Sequence, residues 1–162
     1  AIALPSSGAR IGLIEQLQNL KVRAAYKRWD SADGAAVKRA APKDVLRIVD
    51  DALDVFARLD VLTEMTGAGQ NLTSDREGQK GSALKRKAML ETGRARQTWL
   101  KEMTGVYKSG MDIAEQSNPG TLHIQCAFNW VIGHLVLGKT DAAGLPLEVW
   151  FERLRDSARQ EL

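Results

Sequence analysis

His123, Cys126, Trp130 and His134 stand at i, i+3, i+7 and i+11, which on a helix aligns the only two imidazoles and the only thiol of this 162-residue chain along one face. Imidazole and thiolate are the donors zinc prefers, but one ion needs its ligands within about 4 Å of each other. Three helical turns, roughly 16 Å, separate His123 from His134, so one helix cannot bring both to one metal. The face reads as packing, with the imidazoles finding backbone or water partners. Cys126 lacks a nucleophile motif and an orienting acid, which argues against a Cys/His hydrolase. Asp50 and Asp54 are spaced i, i+4, as a two-metal centre could use, yet no His follows three residues after either and no second acidic helix mirrors them. Gly-x-Ser-x-Gly, His-Glu-x-x-His and Walker-type loops are missing from the sequence, and Gly67-x-Gly69 has neither a leading strand nor a third glycine. The residues thus predict no catalytic group, no metal, no cofactor and no enzyme.

Charge is the stronger chemical signal. Residues 76–108 carry nine Lys/Arg against three acids, a net +6 in a chain whose total is +3. Such polarity predicts a surface for a polyanion, formed by Arg76, Lys80, Lys85, Arg86, Lys87, Arg94, Arg96 and Lys101. The triplet 85–87, the pair Arg94 and Arg96, and Lys101 recur every two to three turns, a spacing that follows phosphates rather than reads bases. Only Trp99 and Tyr107 accompany them, so base stacking is a minor element. The triplet also has the composition of a nuclear localisation element. A secondary basic patch, Lys21, Arg23, Lys27 and Arg28, closes the first helical segment, where part of it complements the helix dipole. Asp50, Asp51, Asp54 and Asp60 form an acidic face that could dock a basic face of another copy, a heterologous contact that propagates into arrays.

The elements that must position these groups are all helical by periodicity. The sequence predicts a first helix over about 9–29 with Leu13, Leu17, Leu20 and Ala24 as its apolar stripe. Pro42 leads a second, with Val45, Val49, Ala52, Phe56 and Leu59 on one face and Ile48, Val55 and Leu62 beside them, a pattern of a central helix. Gly67, Gly69, Gly78 and Gly81, among Gln, Asn, Ser and Asp, give 67–81 the composition of a mobile connector. Helix then runs over about 82–103 with a shorter piece to 115, breaks at Asn118-Pro119-Gly120, resumes over 121–137 with Thr121 as N-cap, turns at Asp141-Ala142-Ala143-Gly144, and ends in a helix from Pro146 presenting Leu147, Phe151, Leu154 and Ala158. The expectation is an all-α fold of five to seven helices, divided as an N-terminal subdomain 1–66, a connector 67–81 and a C-terminal subdomain 82–162.

The length suffices to bury roughly two thirds of the unfolded surface without staples. One cysteine fits a reducing compartment. The first residues lack the pattern of a secretory signal, and Ala1 reads as a processed or trimmed start. The apolar stretch 122–137 falls short of the ~20 residues that span a bilayer, so membrane association would be peripheral.

Four features together resemble the N-terminal domain of orthomyxovirus matrix proteins: Pro5-Ser6-Ser7-Gly8 before an amphipathic helix; the Pro-led helix from Pro42; the basic helix around Lys85-Arg86-Lys87; and Gly120, Cys126 and the ending Arg155-Asp156-Ser157. The resemblance implies a helical, basic protein that assembles beneath a viral envelope. It implies Lys85, Arg86, Lys87, Arg94 and Arg96 as the surface for inner-leaflet lipid, ribonucleoprotein, or both. The protein would lie in the host cytoplasm or nucleus and on the inner face of the virion membrane. The Cys/His zinc-like pattern of the best-known members is missing, so no zinc role carries over. The leading expectation is a self-assembling, non-enzymatic structural protein. The alternative is a nucleic-acid-binding helical adaptor, such as a phage DNA-packaging or other DNA-handling subunit, although no compact helix-turn-helix link supports it. A soluble interaction domain with no polyanion partner is the third reading.

Overall fold

The computed structural model describes residues 7–32, 41–65, 73–119 and 122–160. Six helices dominate them: α1 (Ser7–Ala32), α2 (Lys43–Met65), α3 (Ser74–Leu90), α4 (Gly93–Ser117), α5 (Ile124–Val136) and α6 (Leu147–Gln160). The fold is all-α with the helix number in the expected range. One two-residue antiparallel ladder, β1 (Asp141–Ala142) with β2 (Leu145–Pro146), precedes α6. Ala143 and Gly144 connect it with φ of 49° and 75°, the paired positive values a two-residue hairpin turn demands.

The stripe Val45, Val49, Ala52, Phe56 and Leu59 is buried along its whole length, as the periodicity of α2 predicts. The Pro42 carbonyl accepts the N–H groups of Val45 and Leu46 and so closes the first turn of that helix. Yet α2 is not the central helix. That place belongs to α3, whose Ala83 and Leu90 pack with Val22, Ala25, Val49 and Phe56, while its Leu84 and Ala88 pack with Met103, Tyr107, Trp130 and Trp150. Both apolar clusters therefore meet on one helix.

The start of α3 corrects the connector reading. Residues 74–81 are helical, Gly78 is buried within that helix, and Gly81 is a close-packing position rather than a hinge. A Cβ on Gly81 would stand 2.7 Å from the Tyr107 ring, so glycine lets α4 approach α3. Thr73 caps the helix by accepting the Arg76 N–H at 3.1 Å. Gly67 and Gly69 lie outside the described residues.

The packed face of α1 also differs from expectation. Leu13, Leu17 and Leu20 are 65%, 49% and 58% exposed, and Ala24 is exposed too. The inward face is Glu15, Gln18, Val22 and Ala25, with Trp29 half-buried in the same row. It turns inward because Glu15 meets a buried cation of α3. At α5 the N-cap is His123, whose Nδ1 accepts the Cys126 N–H at 3.3 Å; Thr121 lies outside the described residues. In α6 Leu147 and Leu154 are buried, but Trp150 joins them in place of Phe151 and Ala158, and its Nε1–H donates to the Ala142 carbonyl at 2.8 Å. Trp130 and Trp150 meet edge to face with centroids 4.9 Å apart, and the His134 ring meets Trp130 in the same manner, also at 4.9 Å.

Candidate polyanion-binding surface

Side-chain pairs fix the direction of α1, α2 and α4 around α3. Glu15 meets Arg76, and Tyr26 lines one cavity with Arg86, so α1 runs parallel to α3. Asp60 meets Lys80 and Asp50 meets Lys87, so α2 runs antiparallel. Glu77 lies beside Gly110 and Trp99 lies under Lys87, so α4 is antiparallel as well. The end where α3 finishes thus gathers the last turns of α1 and the first turns of α2 and α4. There Arg23, Lys27, Arg28, Lys43, Arg47, Arg94, Arg96 and Lys101 are exposed, and they outnumber the exposed acids Asp30, Asp44, Asp50, Asp51 and Glu102 of the same region. Toward the opposite end lie Asp60, Asp75, Glu77, Asp112 and Glu115.

Three of the eight residues expected to meet a polyanion are spent inside the molecule. Arg76 is 2% exposed: its Nε donates to Glu15, its Nη1 donates to Thr63 Oγ1 at 2.9 Å, and Asp60 lies 3.9 Å away. Lys80 donates to Asp60 at 2.8 Å. Although burial pulls the Lys80 pKa down, the hydrogen bond to Asp60 and the charges of Glu77, Asp60 and Glu102 outweigh it and the value lies above the ordinary lysine range. Lys87 pairs with Asp50 and lies 3.6 Å over the Trp99 ring centroid. An inward-pointing cation desolvated beside a carboxylate cannot meet an external phosphate. Arg76, Lys80 and Lys87 therefore leave the proposed surface.

The same pairs revise the acidic face. Asp50 and Asp60 are occupied by α3, so the opposite-charge contact expected between copies is made within one chain by these two residues. Asp54 pairs loosely with Arg58, both largely exposed. Asp51 faces Lys21 and Arg28 across a groove of about 510 Å³ between α1 and α2.

Lys85 and Arg86 behave differently from their neighbours. Lys85 donates to Asn129 Oδ1 at 2.9 Å, and Arg86 donates to the carbonyl and hydroxyl of Ser82. Among the described residues neither has a carboxylate partner within ion-pairing distance. Burial pushes both pKa values down, helped at Lys85 by the charge of Arg86 and at Arg86 by that of Arg23. Sequence reasoning included both cations and set Tyr107 of α4 near their stripe, but missed Tyr26, Ser82, Gln125 and Asn129 around them, which come from α1, α3 and α5. Only the register between helices unites them.

The groups on the candidate chemical face of α5 each have a contact within the fold. His123 caps its own helix and sets Nε2 3.3 Å from Asp75, while His134 lies against Trp130. Among the described residues no three His, Cys, Asp or Glu side chains converge as a metal site requires. Cys126 is fully buried, and burial, with the charges of Glu77 and Asp75, pushes its thiol up to about 12. At neutral pH this lowers the thiolate fraction roughly a thousandfold relative to a free thiol. Iodoacetamide should accordingly label Cys126 at the unfolding rate only; rapid labelling of the native protein, followed by mass spectrometry, would contradict the buried position.

No described helix is long and apolar enough to cross a membrane. No family model matches the chain, and neither a curated protein nor a solved structure does.

Proposed function

We propose that this chain is a non-enzymatic, self-assembling structural protein of matrix-like type, which lays its basic end on an anionic membrane, a ribonucleoprotein, or both. The observation that carries this reading is the excess of exposed cations over acids at the end where α3 terminates, where Arg23, Lys27, Arg94, Arg96 and Lys101 make no ion pair among the described residues. Arg94 and Arg96 open α4 and Lys101 lies two turns on, so the three follow one another along a single exposed element. Lys27 and Arg28 extend the field across the neighbouring helix. A field of cations with few aromatic side chains suits a phosphate-bearing sheet or backbone more than a base sequence.

The self-assembly half of the proposal now rests on α1 rather than on the acids of α2. Leu13, Leu17 and Leu20 form an outward apolar row that a second copy could cover. Such contacts are relieved by dilution but not by salt, in contrast with the basic end.

Co-sedimentation with anionic against neutral vesicles, beside a salt series with single-stranded RNA, tests the partner. Neutralising Arg94, Arg96 and Lys101 together to Gln should weaken vesicle binding by about a hundredfold, at about 1 kcal/mol for each cation near an anionic surface. Failure to bind either partner at low salt would end this reading. Strong RNA binding with no vesicle binding would favour the nucleic-acid adaptor instead.

A further inference from the structure

Between α1, α3, α4 and α5 lies a cavity of about 220 Å³ into which Lys85 and Arg86 reach. Its remaining polar wall is neutral: Tyr26, Ser82, Tyr107, Gln125 and Asn129. Elsewhere on α3 each inward cation has an acid beside it: Arg76 has Glu15, Lys80 has Asp60 and Lys87 has Asp50. Here two adjacent cations, with Arg23 close by, are partly desolvated and no carboxylate answers them. Burial without a counter-charge is costly, and a cavity of this kind is stabilised by an anion that enters it.

The donors have the form such an anion needs. Arg86 uses Nη1 on Ser82, which leaves Nε and Nη2 without a protein acceptor among the described residues. Those N–H groups present the planar fork that binds phosphate in bidentate fashion. Lys85 spends one of its ammonium hydrogens on Asn129 and adds a second positive charge from the adjacent position. The cavity is smaller than the roughly 300–1,000 Å³ that holds drug-sized ligands, so it accommodates a head group rather than a whole nucleotide.

We propose that this cavity is a binding site for a single phosphate group, held by Arg86 and Lys85 and bordered by Tyr26, Gln125 and Asn129. The inference rests on the reading of the basic end as an anion-facing surface and names the group that one point of it engages. A phosphate could reach the site as the free anion or as the head group of a phospholipid. Either source offers the same oxygens to the same donors.

The test is titration of the full chain with inorganic phosphate and, separately, with glycerol 3-phosphate, at constant ionic strength set by chloride, read by calorimetry and by the melting temperature. Saturable binding with a rising melting temperature is expected. Arg86→Gln should weaken it by about tenfold or more, Lys85→Gln by several-fold, and the exposed control Arg58→Gln by less than about twofold. Tighter binding of glycerol 3-phosphate identifies the lipid head group as the source, and equal or tighter binding of inorganic phosphate identifies the free anion. Without phosphate, Arg86→Gln should melt no lower than the parent, because it removes an uncompensated charge; a purely structural arginine would melt lower. Absence of saturable binding, or equal losses in Arg58→Gln and Arg86→Gln, overturns the site. If vesicles and RNA fail to bind while phosphate saturates, the pocket stands and the broader function falls; if vesicles bind and phosphate does not, the pocket alone falls.

Discussion

Replacing Arg76 with methionine should cost about 3–5 kcal/mol, the range for removing one partner of a buried ion pair. Arg76 and Glu15 are both nearly inaccessible, and their contact ties α1 to α3 across sixty-one positions of sequence. Methionine fills much of the arginine stem's volume, so the loss comes from charge rather than from a cavity. It strands Glu15 without a counter-charge, releases Thr63 Oγ1 from its guanidinium donor, and leaves Asp60 with Lys80 alone. The paired change Arg76→Met with Glu15→Leu should recover most of the loss, since two apolar side chains of similar bulk often match a buried pair in stability. Urea denaturation of the two single variants and the double variant checks this as a cycle. Additive losses in the double variant would mean that Arg76 and Glu15 do not interact.

Gly81→Ala and Gly105→Ala should shift stability in opposite directions, although both exchange glycine for alanine inside a helix. At Gly81 the new Cβ would fall 2.7–2.9 Å from three atoms of the Tyr107 ring, and Tyr107 is a core residue only 1% exposed. Overpacking of this kind costs about 1–3 kcal/mol, more than the ~1 kcal/mol that alanine gains by helix propensity. At Gly105, on the exposed side of α4, a Cβ would meet nothing within 4 Å, so the propensity gain stands alone. Denaturation midpoints measured together decide it. Equal stabilisation at both sites would restore the view of 67–81 as a slack connector, because it would mean that Tyr107 does not press on α3.

That contrast also marks where the sequence was readable. The all-α class, the buried stripe of α2, the break at Asn118-Pro119 and the turn before α6 all follow from local pattern, since each is set by neighbours within a few residues. The start of α3 was not readable, because glycine at a hinge and glycine at a helix crossing look alike until the opposing ring is known. The leucines of α1 misled for a related reason. Glu15, Gln18, Val22 and Ala25 recur with the same helical period, but polar members hid the stripe, and only Arg76 makes Glu15 an inward residue.

The candidate surface divides in the same way. Exposed Arg94, Arg96 and Lys101 remain where composition put them, whereas Arg76, Lys80 and Lys87 were miscounted because their carboxylates come from α1 and α2. Lys85 and Arg86 stand out only when every other inward cation has been matched to its acid. No local window contains that information.

Cations outnumber acids at one end of α1–α4 and acids outnumber cations at the other, and this imbalance gives the molecule an electric moment along those helices. Near an anionic sheet such a body feels a torque before it makes contact, and it arrives with α4 and the end of α1 foremost. Productive encounters then become frequent without any snug fit, and raising the ionic strength slows arrival as well as hastening departure.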